Sequence, residues 1–518
     1  MNQKGFANIA LIVLVVVLVG VLGYVTLVKK PATTSAPQTN EIDTTKVLIL
    51  TEENLVNDLR QDLMTYQDDI KKDLNLQSQI KTIPSTAGVK EAKKIVQEYY
   101  QQGNLHGVLL VGNIPAPKIY HPDYLNDPIF SSQGFGLSDA VYQDIYNHCV
   151  YSSELDAYSY KNPGCGSTTI QSFWVGRLTP NSSQEKTVTL LKDYFRRNHL
   201  YRTGKYSFQK NTLLYLPSLN EEKMQYPQQY PKTIAGIFDN LKFFNTYNRN
   251  QVKLLVPDSG ISDINYLNEL KKQYAYETVI YNGHGLPTFH QQNIEPGDIN
   301  NTSFFLIDLR SCSVGRFTTT DYLAGNYLFS GGLIALAASV PVFSGSEPNK
   351  VQYYLLSTGH PFYETLDVIG LGLADNVLGD PTLRMRYDLK IAGDKNASIS
   401  IDPAKIVLTK SSPKTQLGIK NVGKSNLLYS ITTNYHQNET PQFSGQGLFG
   451  YGSIEPVDFD SGAGAYVLAP GQKTTWDIDA ASFFPFDTTP PGTYRGTMFI
   501  LSNDSSKLLV RIPFEIQN

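Results

Sequence analysis

Residues 303–317 read SFFLIDLRSCSVGRF. The apolar run from Phe304 to Leu309 is a buried strand closed by a turn at Ser311 to Gly315. Working outward, ETVIYNGHG at 277–285 is a second strand that ends in a histidine between two glycines. Around this pair lie NTLLYL (211–216), a helix at TIAGIFDNLKFF (233–244), QVKLLV (251–256), a helix at INYLNELKKQY (264–274), a helix from about 321, and GGLIALAA (331–338). Short apolar strands alternating with helices at this spacing predict a mostly parallel sheet covered on both faces.

The same grammar occupies the earlier part of the chain. KVLIL opens it at 46–50, and GVKEAKKIVQEYY (88–100) sets Val89, Ala92, Ile95, Val96 and Tyr99 on one helical stripe. GVLLVG (107–112) and SFWVGRL (172–178) are strands. NSSQEKTVTLLKDYFRRN (181–198) begins a helix with Ser182 and Glu185 at capping-box spacing and Val188, Leu191 and Phe195 facing inward. After LGDPTLRM (378–385) helical periodicity stops. Residues 390–518 alternate between faces and turn often, as in PGTYRGTMFILSND, which predicts an antiparallel β-sandwich. Tyr494 in that stretch reads as a structural corner residue.

A chain of 518 residues is too long for one core, at about 100 to 200 residues per domain. A net charge of −3 gives no electrostatic case for nucleic acid. Residues 7–28, ANIALIVLVVVLVGVLGYVTLV, are uncharged and of a length to cross an apolar layer of about 30 Å as one helix. No small-x-small cleavage pattern precedes Lys29 and Lys30, so the expectation is an uncleaved membrane anchor. PATTSAPQTNEIDTT (31–45) is a polar tether. Charge on the two flanks does not choose an orientation. Cys149 and Cys165 sit in one Tyr-, Ser-, Pro- and Gly-rich stretch. A bridge between them stabilises by about 3 kcal/mol in the chain-entropy model and needs an oxidising compartment, which favours a body outside the cytoplasm. The alternative is two unrelated thiols. The expected partition is 1–30 anchor, 31–45 linker, 46–205 first α/β subdomain, 206–389 second α/β subdomain and 390–518 sandwich.

In an open parallel sheet, functional groups collect just past the carboxyl ends of the strands. His284 and Cys312 each occupy that position. An imidazole beside a thiol generates the nucleophilic thiolate, a cysteine-hydrolase constellation. Gly285, with no side chain, lets its amide approach a substrate, so the Gly285 and Cys312 N–H groups are the candidate oxyanion donors. The competing reading is a structural histidine and a buried cysteine acting as a small hydrophobe.

VIYNGHG followed by FFLIDLRSCSVGRF resembles the histidine and cysteine motifs of the gingipain-type cysteine peptidases, in the same clan as caspases, separase and legumain. GVLLVGNIP, SDAVYQDI, FWVGRLTPNSSQE and LGDPTLRM resemble further segments of that family in its order, over roughly 105–390, and the later sandwich resembles the immunoglobulin-like domain that often follows. The resemblance implies a caspase-like α/β sandwich with a parallel-rich sheet, preceded by a related α/β subdomain. It also implies His284 as general base and acid, Cys312 as nucleophile, and peptide-bond hydrolysis through a thioester. Where members often carry a carboxylate that orients the histidine, this chain has Ser172; Gln171, a carbonyl or water is the substitute. A basic side chain before the cut is the family's preference.

Other candidates carry less. His290 is expected on a surface loop and not as a metal ligand, since no Cys or acidic cluster completes a zinc set. Asp380 fixes a turn, near the active-site face if the resemblance holds. Asp308 and Arg310 remain unassigned. The reading is a single-pass, extracytoplasmic cysteine endopeptidase acting on protein or peptide substrates, without metal or other cofactor. The alternatives are a catalytically impaired binding protein of the same fold, or a transpeptidase that resolves the acyl-enzyme with an amine.

Overall fold

The computed structural model describes residues 46–103, 105–120, 135–145, 149–159, 173–217, 223–224, 228, 251–256, 263–290, 294–340, 356, 359–369, 375–385, 395–434, 466–480, 486–487, 493–502, 504, 506–507 and 509–518. The expected anchor, tether, helix at 233–244, Cys165, Gln171 and Ser172 lie outside them. Among the described residues no helix is long and apolar enough to cross a membrane.

The α/β body is built on one ten-stranded sheet. In chain order its strands are β1 (Lys46–Glu52), β2 (Gln77–Ile83), β3 (Leu105–Val111), β8 (Trp174–Leu178), β9 (Asn211–Tyr215), β10 (Gln251–Leu255), β11 (Thr278–Asn282), β14 (Phe304–Arg310), β15 (Gly332–Ala338) and β16 (Asp375–Gly379). Four short strands, β4 (Lys118–Tyr120), β5 (Gly136–Leu137), β6 (Val150–Ser152) and β7 (Ala157–Ser159), form a separate small sheet, and β12 (Gly285–Leu286) with β13 (Phe289–His290) forms a hairpin. The large sheet runs β10-β9-β11-β14-β15-β16-β8-β3-β1-β2.

Every neighbouring pair is parallel except β15 with β16. The expectation of a mostly parallel sheet is met, with a reversal at its centre. The halves expected as two subdomains share this single sheet and point in opposite directions. Consequently the carboxyl ends of β9, β11, β14 and β15 lie on the edge where β8, β3 and β1 begin.

The inner strands are short and nearly all buried, as continuous runs of Val, Ile, Leu and Ala demand when both faces are covered, while the edge strands β2 and β10 are partly exposed. Helix Val89–Gln101 buries Ala92 and Val96, with Val89, Ile95 and Tyr99 packed beside them, on the stripe read from its spacing. Helix Gln184–Arg202 buries Leu191 and Phe195 and packs Val188 against the same core. Its N-cap is Ser183, without a side-chain cap bond, so the Ser182–Glu185 box does not form. The helix starts one residue later than that spacing requires, and the Thr187 hydroxyl donates to the Ser182 carbonyl instead.

Asp380 fixes the body from the far side. Its carboxylate accepts from Tyr66 (2.9 Å), Asn198 (2.8 Å), Arg202 (2.7 Å) and the Thr382 N–H (2.9 Å). The adjacent Arg202 guanidinium and these donors hold its carboxyl below the usual carboxylate range despite complete burial. Because β16 runs against β15 and β14, Asp380 leaves the sheet on the edge opposite Cys312. The turn-fixing role holds. The expected placement near the active-site face does not.

Residues after 395 form two sheets on one core. The strands are β17 (Ile399–Asp402), β18 (Ile406–Thr409), β19 (Lys414–Asn421), β20 (Leu427–Asn434), β21 (Tyr466–Leu468), β22 (Lys473–Asp479), β23 (Thr493–Ser502) and β24 (Leu509–Gln517). Sheets β17-β19-β22 and β18-β24-β23-β20-β21 share Ile399, Leu417, Ile478, Leu408, Met498 and Phe514, which makes a β-sandwich. Its pairs are antiparallel except β18 with β24. Tyr494 lies on β23, and its side chain is outside the described residues. Arg511 of β24 reaches Glu364 at 2.9 Å and ties the sandwich to helix Phe362–Ile369 of the α/β body.

Candidate active site

The register of two neighbouring strands brings the histidine and cysteine loops together. β11 and β14 are parallel, with Asn282 opposite Arg310 as the last pair. His284 and Cys312 each follow two residues later, so both chains leave the sheet side by side. The Gly283 N–H donates to the Arg310 carbonyl across this exit at 3.3 Å.

Beyond it, Gly285 presses directly on the cysteine loop. A Cβ built there meets Ser311 Oγ at 2.2 Å, Val314 Cγ1 at 2.7 Å and the Cys312 carbonyl oxygen at 3.1 Å. Glycine is therefore required at 285 by the packing of one loop on the other. The sequence suggested an open backbone for substrate; the structure adds this steric reason.

The hairpin geometry leaves the Gly285 amide available. Leu286 faces Phe289 across the two-residue turn Pro287–Thr288, and Gly285 faces His290. In such a hairpin the pair closing the turn exchanges hydrogen bonds, and the next pair turns its N–H groups outward. His290 follows this rule, its N–H donating to the Ile294 carbonyl at 3.0 Å on the far side. The Gly285 N–H correspondingly points away from β13.

The cysteine loop is a tight turn with its own anchors. Ser313 takes a left-handed conformation, φ 58°, which a non-glycine residue adopts only under local constraint. Here the Ser313 N–H donates to the Val340 carbonyl and the Gly315 N–H to the Ala338 carbonyl, both at 2.8 Å. Cys312 is partly exposed and a free thiol. His284 is exposed.

Helix Leu323–Ser330 then clamps the two loops. The first N–H groups of a helix have no partner within it. Two of these donors are used here: Leu323 bonds the Pro287 carbonyl of the histidine hairpin at 2.7 Å, and Ala324 bonds the Val314 carbonyl of the cysteine turn at 3.1 Å. One helix start thus fixes both halves of the site.

His290 is the residue that sequence reasoning misplaced. It is 0% exposed, its ring stacked on Tyr281 with centroids 3.7 Å apart and tilted against Tyr327 at 5.8 Å. Nδ1 lies 3.3 Å from Ser311 Oγ. Burial pushes its pKa down to about 3, opposed by the neighbouring His284 backbone. His290 is therefore neutral at ordinary pH, and it packs against the turn that carries Cys312 through Ser311. The signal that could have located it was GLPTFH: a Pro-Thr turn flanked by Leu and Phe is a hairpin, and a hairpin sets His290 opposite Gly285.

The small sheet flanks the same edge. Leu137 exchanges hydrogen bonds with the Ser339 hydroxyl beyond β15, its N–H donating at 2.8 Å and its carbonyl accepting at 2.6 Å. Asp139 holds the wholly buried Arg177 through two bonds, 2.8 and 2.6 Å. Cys149 is disulfide-bonded and buried in the core of this lobe beside Ile119, Val141 and Tyr158. Its expected partner, Cys165, lies outside the described residues, as does Ser172, although β8, which follows Ser172, begins on the dyad's edge. Among the described residues no group of three or more His, Cys, Asp or Glu side chains is placed to hold a metal ion.

No family model matches the chain, and no curated protein matches it. Among solved structures it is similar to the periplasmic chaperone SfaE, at 12% identity over 23% of this chain and 57% of that one, with a TM-score of 0.16. It is similar to the CsuC–CsuE chaperone–tip adhesion subunit complex of Acinetobacter baumannii at 14% identity, 24% and 52% coverage and a TM-score of 0.16. A protein of unknown function from Porphyromonas gingivalis W83 follows at 15% identity, 28% and 56% coverage and a TM-score of 0.16. The chain spans little more than half the length of these structures, and likeness at this level assigns it neither fold nor activity.

Proposed function

We propose that this protein is a cysteine endopeptidase of gingipain type, with a caspase-like α/β body, an immunoglobulin-like sandwich after it, and an N-terminal helix that anchors it to a membrane with the body outside the cytoplasm. One observation carries the catalytic reading. The Asn282–Arg310 pair ends two adjacent parallel strands, so His284 and Cys312 emerge together, and Gly285 packs on Ser311 and Cys312.

In this reading His284 takes the Cys312 proton, and the thiolate attacks the peptide carbonyl to form a carbon–sulfur bond. The displaced electron pair becomes an oxyanion that the outward Gly285 N–H and the Cys312 N–H stabilise. Protonated His284 then gives its proton to the departing amine as the carbon–nitrogen bond breaks. Water, deprotonated by His284, resolves the thioester and returns the thiol. The helix clamp and the buried His290 hold the loops in place, which matters because a displacement of about 1 Å costs on the order of a hundredfold in rate.

The test is covalent labelling of the full-length chain in detergent with a peptidyl electrophile, read by mass spectrometry. Labelling is expected at Cys312 and is expected to fall at least a hundredfold in His284→Ala. Equal labelling of the variant overturns the dyad.

A further inference from the structure

The buried ion pair leading to Cys312 has one feature that pairing alone does not explain. Asp308 and Arg310 alternate onto one face of β14, where their neighbours on β11 are Ile280 and Asn282. Arg310 is 7% exposed. Its Nε and Nη2 donate to Asp308 Oδ2 at 3.0 and 2.9 Å. Those two nitrogens form one edge of the planar guanidinium, so Nη1 points away from the carboxylate, and it is buried without a hydrogen-bond partner among the described residues.

A guanidinium cannot shed its charge, and it offers five N–H donors in a fixed fork. Asp308 balances the charge but leaves the hydrogens of Nη1 unmet. A buried donor without an acceptor is costly, and buried polar groups in folded proteins are nearly always satisfied. The position of this donor matters as much as its deficit. Arg310 precedes Cys312 by two residues, so their Cα atoms are within about 7 Å, comparable to the reach of a side chain from the carbonyl under attack.

We propose that Arg310 forms the side-chain subsite for the residue whose carbonyl Cys312 attacks, and that it selects a side chain ending in a planar oxygen acceptor, a carboxamide or a carboxylate. This rests on the peptidase reading above and runs against the basic preference that the family resemblance implied. The incoming oxygen accepts from Nη1 and satisfies it. A lysine or arginine brings a second cation against a fixed one and offers no acceptor.

The test uses the full-length chain in detergent and a set of peptides identical except at the residue before the cut: Asn, Gln, Asp, Glu, Leu, Lys or Arg. The acceptor peptides are expected to exceed the Lys and Arg peptides by a hundredfold or more in kcat/KM, and the ratio of carboxamide to carboxylate peptides identifies which source of the acceptor is preferred. Arg310→Lys keeps the charge and loses the fork; it is expected to lower the acceptor peptides ten- to a hundredfold and the Leu peptide by less than threefold, with cooperative melting retained above the assay temperature. Preferred cleavage after Lys or Arg overturns the proposal, as does an equal loss for every peptide in Arg310→Lys. Peptide binding to Cys312→Ala, read by fluorescence anisotropy, separates the two readings. Acceptor-selective binding lost in Arg310→Lys supports the subsite even if no peptide is cut, and binding without that selectivity overturns it even if the dyad reacts.

Discussion

Gly285→Ala tests the contact on which the site depends. The added methyl lies 2.2 Å from Ser311 Oγ, 2.7 Å from Val314 Cγ1 and 3.1 Å from the Cys312 carbonyl oxygen, against an ordinary separation of about 3.5 Å or more. The Ser311 hydroxyl can rotate away only by leaving Nδ1 of His290, and Val314 is fixed in the core at 0% exposure. Relief therefore requires the two loops to part by roughly 1 Å, which the helix bonds to Pro287 and Val314 resist. Overpacking of this kind costs about 1–3 kcal/mol, and the same displacement of reacting groups costs on the order of a hundredfold in rate. The assay is the rate of Cys312 alkylation by a peptidyl electrophile, with thermal melting measured in parallel. Ser311→Ala in the same chain removes the tightest contact and should recover part of both losses. Wild-type melting and labelling in Gly285→Ala would show that the loops do not pack as described.

Cys312→Ala and His284→Ala should each end peptide cleavage while leaving melting within a few degrees of wild type; cleavage at a normal rate by either variant removes the dyad. Asp380→Asn should cost about 1–3 kcal/mol in urea unfolding, because Tyr66, Asn198 and Arg202 lose a charged acceptor while Asp73 still balances the Arg202 charge. Labelling at Cys312 should persist in the folded fraction of Asp380→Asn, since Asp380 lies on the opposite edge. Asp380 titrates below its unfolded value, so its contribution to stability is complete above about pH 4 and is lost as pH falls through the depressed folded value. His290 has a folded pKa of about 3 against about 6.5 when unfolded. Its neutral form favours the fold fully above pH 6.5, and that stability is lost as pH falls, by up to about 1.4 kcal/mol per pH unit. His290→Gln should flatten urea stability between pH 6.5 and 5, and an unchanged slope in that window contradicts the buried placement.

The pattern of strands and helices was legible because strands covered on both faces must be continuously apolar, as TVIY and FFLI are. The stripe of Ala92 and Val96 was legible for the same reason: a helix with one buried face repeats every 3.6 residues. Direction was not legible. Nothing local in NVLG at 376–379 says that β16 runs against β15, because strand polarity is set by how the two halves meet. That reversal moved Asp380 to the far edge. His290 was misread for a related reason: a lone histidine after a proline resembles a loop residue until the hairpin register pairs it with Gly285. At the termini of helices the error was smaller, a single residue between Ser182 and Ser183, which is the ordinary uncertainty of helix ends.

The central reversal also explains how one edge can be furnished from distant parts of the chain. In an all-parallel sheet every carboxyl-end loop would crowd the same side. Here the early half instead presents its strand beginnings, and the crossover lobe between β3 and β8 reaches back to this edge, so that Leu137 and Asp139 flank the turn carrying Cys312 while the turn after β1 faces away. The lobe is held by Arg177 buried against Asp139 and by the bonds from Leu137 to Ser339, and its described residues frame the proposed dyad. Breaking the Arg177–Asp139 pair should therefore loosen the wall of the site before it alters its chemistry. Asp139→Asn is accordingly expected to raise KM for peptides more than it lowers kcat, and a loss confined to kcat would place Asp139 in the reaction itself.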